Sequence, residues 1–183
     1  MSFSSEIKQE LSAHVPPARH CRLAEMAAIL NFCSRVESVE GESPCVKMHT
    51  ENLAVARKYF TLLRKTFNIE MNVSTRQSRN PRGSLSYEVT SFGGLEPVKH
   101  MLVQNQCCRR AYIRGAFLAS GSLSDPEKGY HFEIVCSGEE KADELREMLA
   151  SFGIDARITL RKRSYVLYVK EGSQIADLLN VME

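Results

Sequence analysis

No stretch of this 183-residue sequence approaches the roughly 20 consecutive apolar residues of a membrane-spanning helix. The opening, MSFSSEIKQELSAHV, also lacks the apolar centre of a signal peptide. Neither export nor membrane insertion is therefore indicated, and a cytoplasmic protein is expected. Charge of one sign is scarce as well: 24 Lys and Arg face 22 Asp and Glu, a net charge of +2. Bulk charge does not announce a nucleic-acid binder, so any basic patch has to be local. What is present is ordinary for a globular chain, with 43% hydrophobic and 25% charged residues, enough for one substantial domain or two small ones.

The six cysteines, Cys21, Cys33, Cys45, Cys107, Cys108 and Cys136, include no C-x-x-C pair. Without an export signal, reduced thiols are the default. His20-Cys21 and Cys107-Cys108 are adjacent pairs, and neighbouring residues on a helix point about 100° apart, a poor arrangement for chelation. The expectation is buried or half-buried thiols, no metal site and no cofactor.

The sequence repeats itself faintly. CRLAEMAAILNFCS from Cys21 matches CRRAYIRGAFLASG from Cys108, and FNIEMNV from Phe67 matches FGIDARI from Phe152. SYEV from Ser86 then matches SYVL from Ser164, and GGLEPVKHML from Gly93 matches EGSQIADLLN from Glu171. Each match is weak, but the shared order argues for a duplicated unit. Each unit reads as a small-residue helix (about 18–34 and 106–121), a strand or hairpin (CVKMHT; YHFEIVC), a second helix, another hairpin and a short closing helix. In the second helices, Leu53, Ala56, Phe60 and Leu63, and then Ala142, Leu145 and Leu149, fall at helical spacing; Gly153 is a C-cap candidate. Ile154, Ala156, Ile158 and Leu160 alternate as one face of a strand. An extra amphipathic helix over 4–13, capped by Ser4 or Ser5, precedes the first unit.

Ala111, Gly115 and Ala119 recur every fourth position of the second small-residue helix, with Ala24 and Ala28 in the matching places of the first. A stripe without bulk lets two helix axes come closer than the usual 8–10 Å. Gly115 costs about 1 kcal/mol of helix propensity, which close packing can offset. The two helices are expected side by side on a pseudo-two-fold axis.

Paired small-residue helices, each followed by hairpins, resemble the LAGLIDADG homing endonucleases. Aligned on that name, Met26–Ser34 reads MAAILNFCS and Ile113–Gly121 reads IRGAFLASG. More narrowly, CCRRAYIRGAFLASGSLSDPEKGYHFEIV, with SFSSEIKQEL at the start and YVLYVKEGSQIADLL at the end, resembles the WhiA family of bacterial DNA-binding regulators. The resemblance implies one α+β domain over 1–183. It is built of two pseudo-symmetric αββαββα repeats, about 15–103 and 104–183, which form a β-sheet saddle. It also implies roles in cell division, chromosome segregation and sporulation control, and a nucleoid-associated location. The family's C-terminal helix-turn-helix is not expected within these residues.

Homing endonucleases end each motif with an acid, and the two carboxylates hold Mg²⁺ for phosphodiester hydrolysis. By the resemblance those places are Cys33 and Ser120, neither a hard anionic ligand, while Glu37 and Asp125 lie beyond the helices. A scaffold without nuclease activity is expected, its motif packing carried by Ala24, Ala28, Ala111, Gly115, Ala119 and Gly121. The saddle of such proteins sits on the DNA major groove. Here the outer hairpin tips offer Arg76, Arg79 and Arg82 in one repeat and Arg161, Lys162 and Arg163 in the other. Guanidinium groups suit phosphates and guanine edges. Arg109 and Arg110, at the second motif helix, either cap the helix interface or face water. Three readings stay open: a non-catalytic binder of double-stranded DNA, an interaction module that docks a helix-turn-helix domain or a transcription factor, and an active endonuclease.

Overall fold

The structure, a computed structural model, describes residues 2–37, 45–77, 83–92 and 103–183. Helix α1 (Phe3–Ala13) is capped by Ser2, whose side chain accepts from the Ser5 N–H at 3.3 Å. Ser4, one of the two expected caps, lies inside the helix instead. Its hydroxyl accepts from the Leu123 N–H at 3.2 Å and ties α1 to the second repeat.

The first repeat runs α2 (Arg19–Cys33), β1 (Ser34–Glu37), β2 (Cys45–Thr50), α3 (Leu53–Thr66), β3 (Met71–Gln77) and β4 (Leu85–Phe92). The second runs α4 (Gln106–Ser120), β5 (Gly121–Leu123), a 3₁₀ turn (Pro126–Lys128), β6 (Phe132–Cys136), α5 (Glu139–Ala150), β7 (Arg157–Arg161), β8 (Ser164–Val169) and α6 (Gly172–Met182). The closing helix expected of the first repeat falls on 93–102, outside the described residues. Local chemistry accounts for several boundaries. Asn52 caps α3 by accepting from the N–H groups of Ala54 and Val55. Helix α5 ends in a Schellman motif: the Ile154 N–H donates to Leu149 O and the Gly153 N–H to Ala150 O, with Gly153 at φ +76°.

Both sheets are antiparallel and have the same topology, β1-β2-β4-β3 and β5-β6-β8-β7. The motif helices feed the innermost strands directly, so β3 and β7 lie at the outer edges. One hydrophobic core runs through both repeats, from Leu11, Ile29, Met48 and Leu62 to Phe117, Phe132, Leu145 and Leu178. Two apolar patterns differ from expectation. In α3 the buried set includes Val55, Ala56, Tyr59, Leu62 and Leu63, while Leu53 is exposed and Phe60 only half-buried. This helix packs on α1, α2 and the sheet at once, so its buried arc is wider and rotated from the expected stripe. In the second hairpin Ile154 and Ala156 are buried but precede β7, whereas Leu160 is 62% exposed, at the hairpin end.

The small residues sit where α2 and α4 cross. Ala24, Ala28 and Ala111 are buried, and a Cβ built on Gly115 would lie 2.5 Å from the Glu25 carbonyl oxygen and 2.8 Å from the Ala28 Cβ. Backbone, not a flexible side chain, fills the space. Ala119 is only half-buried, while Gly121 is buried. A decisive substitution follows. Gly115→Ala gains about 1 kcal/mol of helix propensity, yet its methyl group collides with the facing backbone, so a lower melting temperature is expected. Gly115→Leu should cost on the order of 1–3 kcal/mol or more. Thermal unfolding by circular dichroism checks both, and an unchanged or raised melting temperature for either would refute the close crossing.

Candidate nucleic-acid interface

A buried charge cluster lies at the helix crossing. Glu25 of α2 and Arg114 of α4 are both buried and form a bidentate pair, Nε–Oε1 at 2.9 Å and Nη2–Oε2 at 3.0 Å. Arg114 Nη1 also donates to Met182 O at 2.9 Å, at the end of α6, where the helix dipole favours a cation. Lys58 of α3, also buried, lies 3.1 Å from Glu25 Oε1 and donates to His14 O. Burial lowers the Lys58 pKa, with Glu25 pulling the other way and Arg114 adding to the decrease. One carboxylate thus binds α2, α3, α4 and, through Arg114, α6. The pairing was not evident in the sequence, because Glu25 and Arg114 stand 89 positions apart.

At their C-terminal ends α2 and α4 run side by side: Cys33 Sγ donates to Ala119 O at 3.4 Å. Burial pushes the Cys33 thiol up to about 11, against the attraction of Lys8. Ser120 Oγ donates to Val135 O at 2.8 Å. The two helices therefore end on a neutral thiol and a hydroxyl engaged with backbone. Glu37 closes β1, opposite Cys45. The Asp125 carboxylate accepts from the Glu127 N–H at 3.1 Å and caps the 3₁₀ turn.

The inner strands of each sheet turn one face to the core and one to solvent, while the outer strands β3 and β7 are largely exposed on both. In the second, Glu133 and Val135 of β6 and Arg157, Thr159 and Arg161 of β7 lie on the outer face. Arg161 Nη1 contacts Glu133 Oε2 at 3.3 Å. Burial alone would raise the Glu133 pKa, but hydrogen bonding from His131 and the charge of Arg161 outweigh it, and the carboxyl is held below its ordinary value. The first sheet repeats the pattern: Asn72, Ser74 and Arg76 of β3 face the same way as Glu88 of β4, and Arg76 Nη2 is 3.6 Å from Glu88 Oε1. Both arginines keep more than half of their side chain in solvent, 70% for Arg76 and 57% for Arg161. Lys162 and Arg163 form the tight turn of β7–β8, with Lys162 at φ +58°. That left-handed conformation is what a two-residue hairpin turn requires of its first residue. Arg79 and Arg82 lie outside the described residues. Arg109 is half-buried, its Nε donating to Val103 O at 3.4 Å, and the Arg110 guanidinium lies 5.9 Å from the Phe152 ring centre.

The opposite ends of α2 and α4 correct one geometric inference. Within each adjacent pair the side chains do diverge, but the two helices bring the pairs together. The donor atoms of His20, Cys21, Cys107 and Cys108 all lie within 4.8 Å of one another. Sequence reasoning treated one helix at a time and missed this. Burial and the neighbouring thiols push Cys21 up to about 12 and raise Cys108.

Residues 19–98 match the model of the WhiA N-terminal LAGLIDADG-like domain and residues 109–183 that of the WhiA LAGLIDADG-like domain. The chain belongs to the WhiA family. A relative from Lachnoclostridium phytofermentans, named "Probable cell division protein WhiA", is 48% identical over all of this chain, which spans 65% of that relative's length. The crystal structure of the N-terminal LAGLIDADG domain of DUF199/WhiA superposes with a TM-score of 0.84 at 22% identity, covering 99% of this chain and 90% of that one. The homing endonuclease I-DmoI, solved in complex with DNA and Mn, gives a TM-score of 0.68 at 14% identity over 91% of this chain and 98% of that one. The fold is thus the LAGLIDADG homing-endonuclease fold, α+β with antiparallel sheets. Among the described residues no helix is long and apolar enough to cross a membrane.

In this WhiA-family chain the buried cluster should behave as a unit. Glu25→Ala leaves two buried cations without their anion and should cost about 3–5 kcal/mol in denaturant unfolding. Replacing Glu25, Lys58 and Arg114 together by apolar residues of similar size should cost much less than the sum of the single changes. A mild Glu25→Ala phenotype would show that the charges are not held as described.

Proposed function

We propose that this chain is a non-catalytic DNA-binding portion of a WhiA-type regulator that acts in cell division, chromosome segregation and the control of sporulation genes. The observation that carries the reading is the symmetric pair of arginine-bearing outer strands on the solvent faces of the two sheets, Arg76 in one and Arg161 in the other. Lys162 and Arg163, at the tip of the second hairpin, extend it. The fold is shared with I-DmoI, which was solved in complex with DNA. The outer sheet faces would lie along duplex DNA, the arginines mainly on phosphates, which position a protein but carry little sequence information.

The ends of the motif helices support a binder rather than a nuclease. Cys33 and Ser120 stand there, a thiol raised by burial and a hydroxyl committed to Val135 O. Neither supplies the anionic oxygen that Mg²⁺ prefers. Asp125 is engaged in capping its own turn. No Mg²⁺-dependent cleavage of plasmid or linear DNA is expected. Cleavage that disappears in Glu37→Ala or Asp125→Ala would establish a displaced catalytic acid instead.

A second reading has its own observation. Glu88 and Glu133 occupy the same faces as the arginines, and carboxylates repel phosphate while suiting a protein partner such as a helix-turn-helix domain or a transcription factor. A salt series decides between the two. Fluorescence anisotropy with duplex DNA should give weak binding, about 10⁻⁴–10⁻⁶ M, with strong salt dependence. Replacing Arg161, Lys162 and Arg163 together by Ala should flatten the slope of log K against log salt by about 2–3, at about 0.9 per phosphate neutralised. Exposed turn residues rarely change stability by more than about 0.5 kcal/mol, so the fold should survive. Equal slopes for the two proteins would move the interaction-module reading to the front.

A further inference from the structure

We propose that the paired N-termini of α2 and α4 form a structural Zn²⁺ site of the Cys₃His type, with His20 and Cys21 supplied by one repeat and Cys107 and Cys108 by the other. The site lies at the end of the helix pair opposite Cys33 and Ser120, so it is separate from the sheet faces considered for DNA.

Its geometry fits a four-coordinate ion. His20 Nδ1 is 3.2 Å from Cys108 Sγ, 3.4 Å from Cys21 Sγ and 3.9 Å from Cys107 Sγ. With Zn–N near 2.0–2.1 Å and Zn–S near 2.3 Å, the N···S edge of a regular tetrahedron is about 3.6 Å. The three observed edges straddle that value, and all donor atoms lie within 4.8 Å of one another. Three soft sulfurs and one imidazole are a zinc donor set; hard cations such as Mg²⁺ and Ca²⁺ take oxygen ligands.

The surroundings suit such an ion. Zn²⁺ with three thiolates and a neutral imidazole carries one net negative charge. It would sit against the first turns of two helices, whose dipoles present positive ends there. Cys21 and Cys108 are buried with Ala24 and Ala111 in a small apolar cluster of their own, walled by Ala18 and Val103. Cys107 and His20 are exposed and close the site from the solvent side, which leaves an entry path. Two ligands from each repeat make the ion a clamp across the pseudo-two-fold axis, at the end of the helix pair farthest from the Cys33–Ala119 contact. The two side chains of each adjacent pair diverge by about 100°. Each pair thereby spans its side of a shared ion.

The test uses the reduced chain and Co²⁺ as a spectroscopic probe, followed by Zn²⁺. One Co²⁺ per chain is expected, with the intense visible bands of tetrahedral Co²⁺ and thiolate-to-metal charge transfer, both abolished when Zn²⁺ displaces it. Cys107→Ser and His20→Ala change exposed residues and should fold normally by circular dichroism. Each should weaken binding by more than the about 10–100-fold typical of lost outer-shell partners. Cys33→Ser should bind as the parent does. A chelator should lower the melting temperature of the Zn²⁺-loaded parent and leave Cys107→Ser unchanged. Absence of stoichiometric tetrahedral Co²⁺ binding by the reduced parent would overturn the proposal, as would undiminished binding by Cys107→Ser and His20→Ala.

Discussion

The close approach of α2 and α4 at Gly115 and the Glu25 carboxylate beside it are the constraint on which the other elements depend. The missing side chain at position 115 admits the carbonyl of Glu25, and the Glu25 side chain then reaches the guanidinium of Arg114, the residue next to that glycine. Desolvating these charges costs several kcal/mol per ion, so the cluster is not a simple source of stability. What it supplies is registry. A helix shifted by one turn would leave a buried charge unpaired, and α3 and α6 are held through Lys58 and Arg114 to the same carboxylate.

The two ends of the helix pair have different chemistry. Toward the sheets, the chain ends α2 and α4 in Cys33 and Ser120, both satisfied by backbone oxygens. At the other end it gathers one imidazole and three thiols. In a LAGLIDADG fold the first end is where hydrolytic chemistry would be expected from the family resemblance. Among the described residues, the solvent faces of the sheets carry polar side chains and the β7–β8 hairpin tip carries Lys162 and Arg163. The paired contacts Arg76–Glu88 and Arg161–Glu133 temper the positive field of those arginines.

Much of the architecture was legible because local signals carry it. The C-cap at Gly153 and the recurrence of small residues through Gly115 act over three or four positions and survive in the sequence; the Asn52 cap of α3 acts over the same short range but went unread. Ser2 in place of Ser4 or Ser5 as the first cap is a shift within that local range. The exposed Leu160 and the rotated stripe of α3 were not legible, since burial there depends on which other elements reach that far. The largest omissions, Glu25 with Arg114 and Lys58, and His20-Cys21 with Cys107-Cys108, share one cause. Each joins residues that meet only after the repeats pack, and no periodicity within one helix records such a meeting.

Whether the outer sheet faces meet DNA decides the proposed function. Amide hydrogen exchange of the chain, with and without duplex DNA at low salt, tests this directly. Added protection is expected only in β3, β4, β7 and β8 and in the Lys162-Arg163 turn, with the N-terminal turns of α2 and α4 unchanged. Protection that falls on α1, α3 or the helix N-termini, or none at any DNA concentration that saturates binding, would contradict the proposed function.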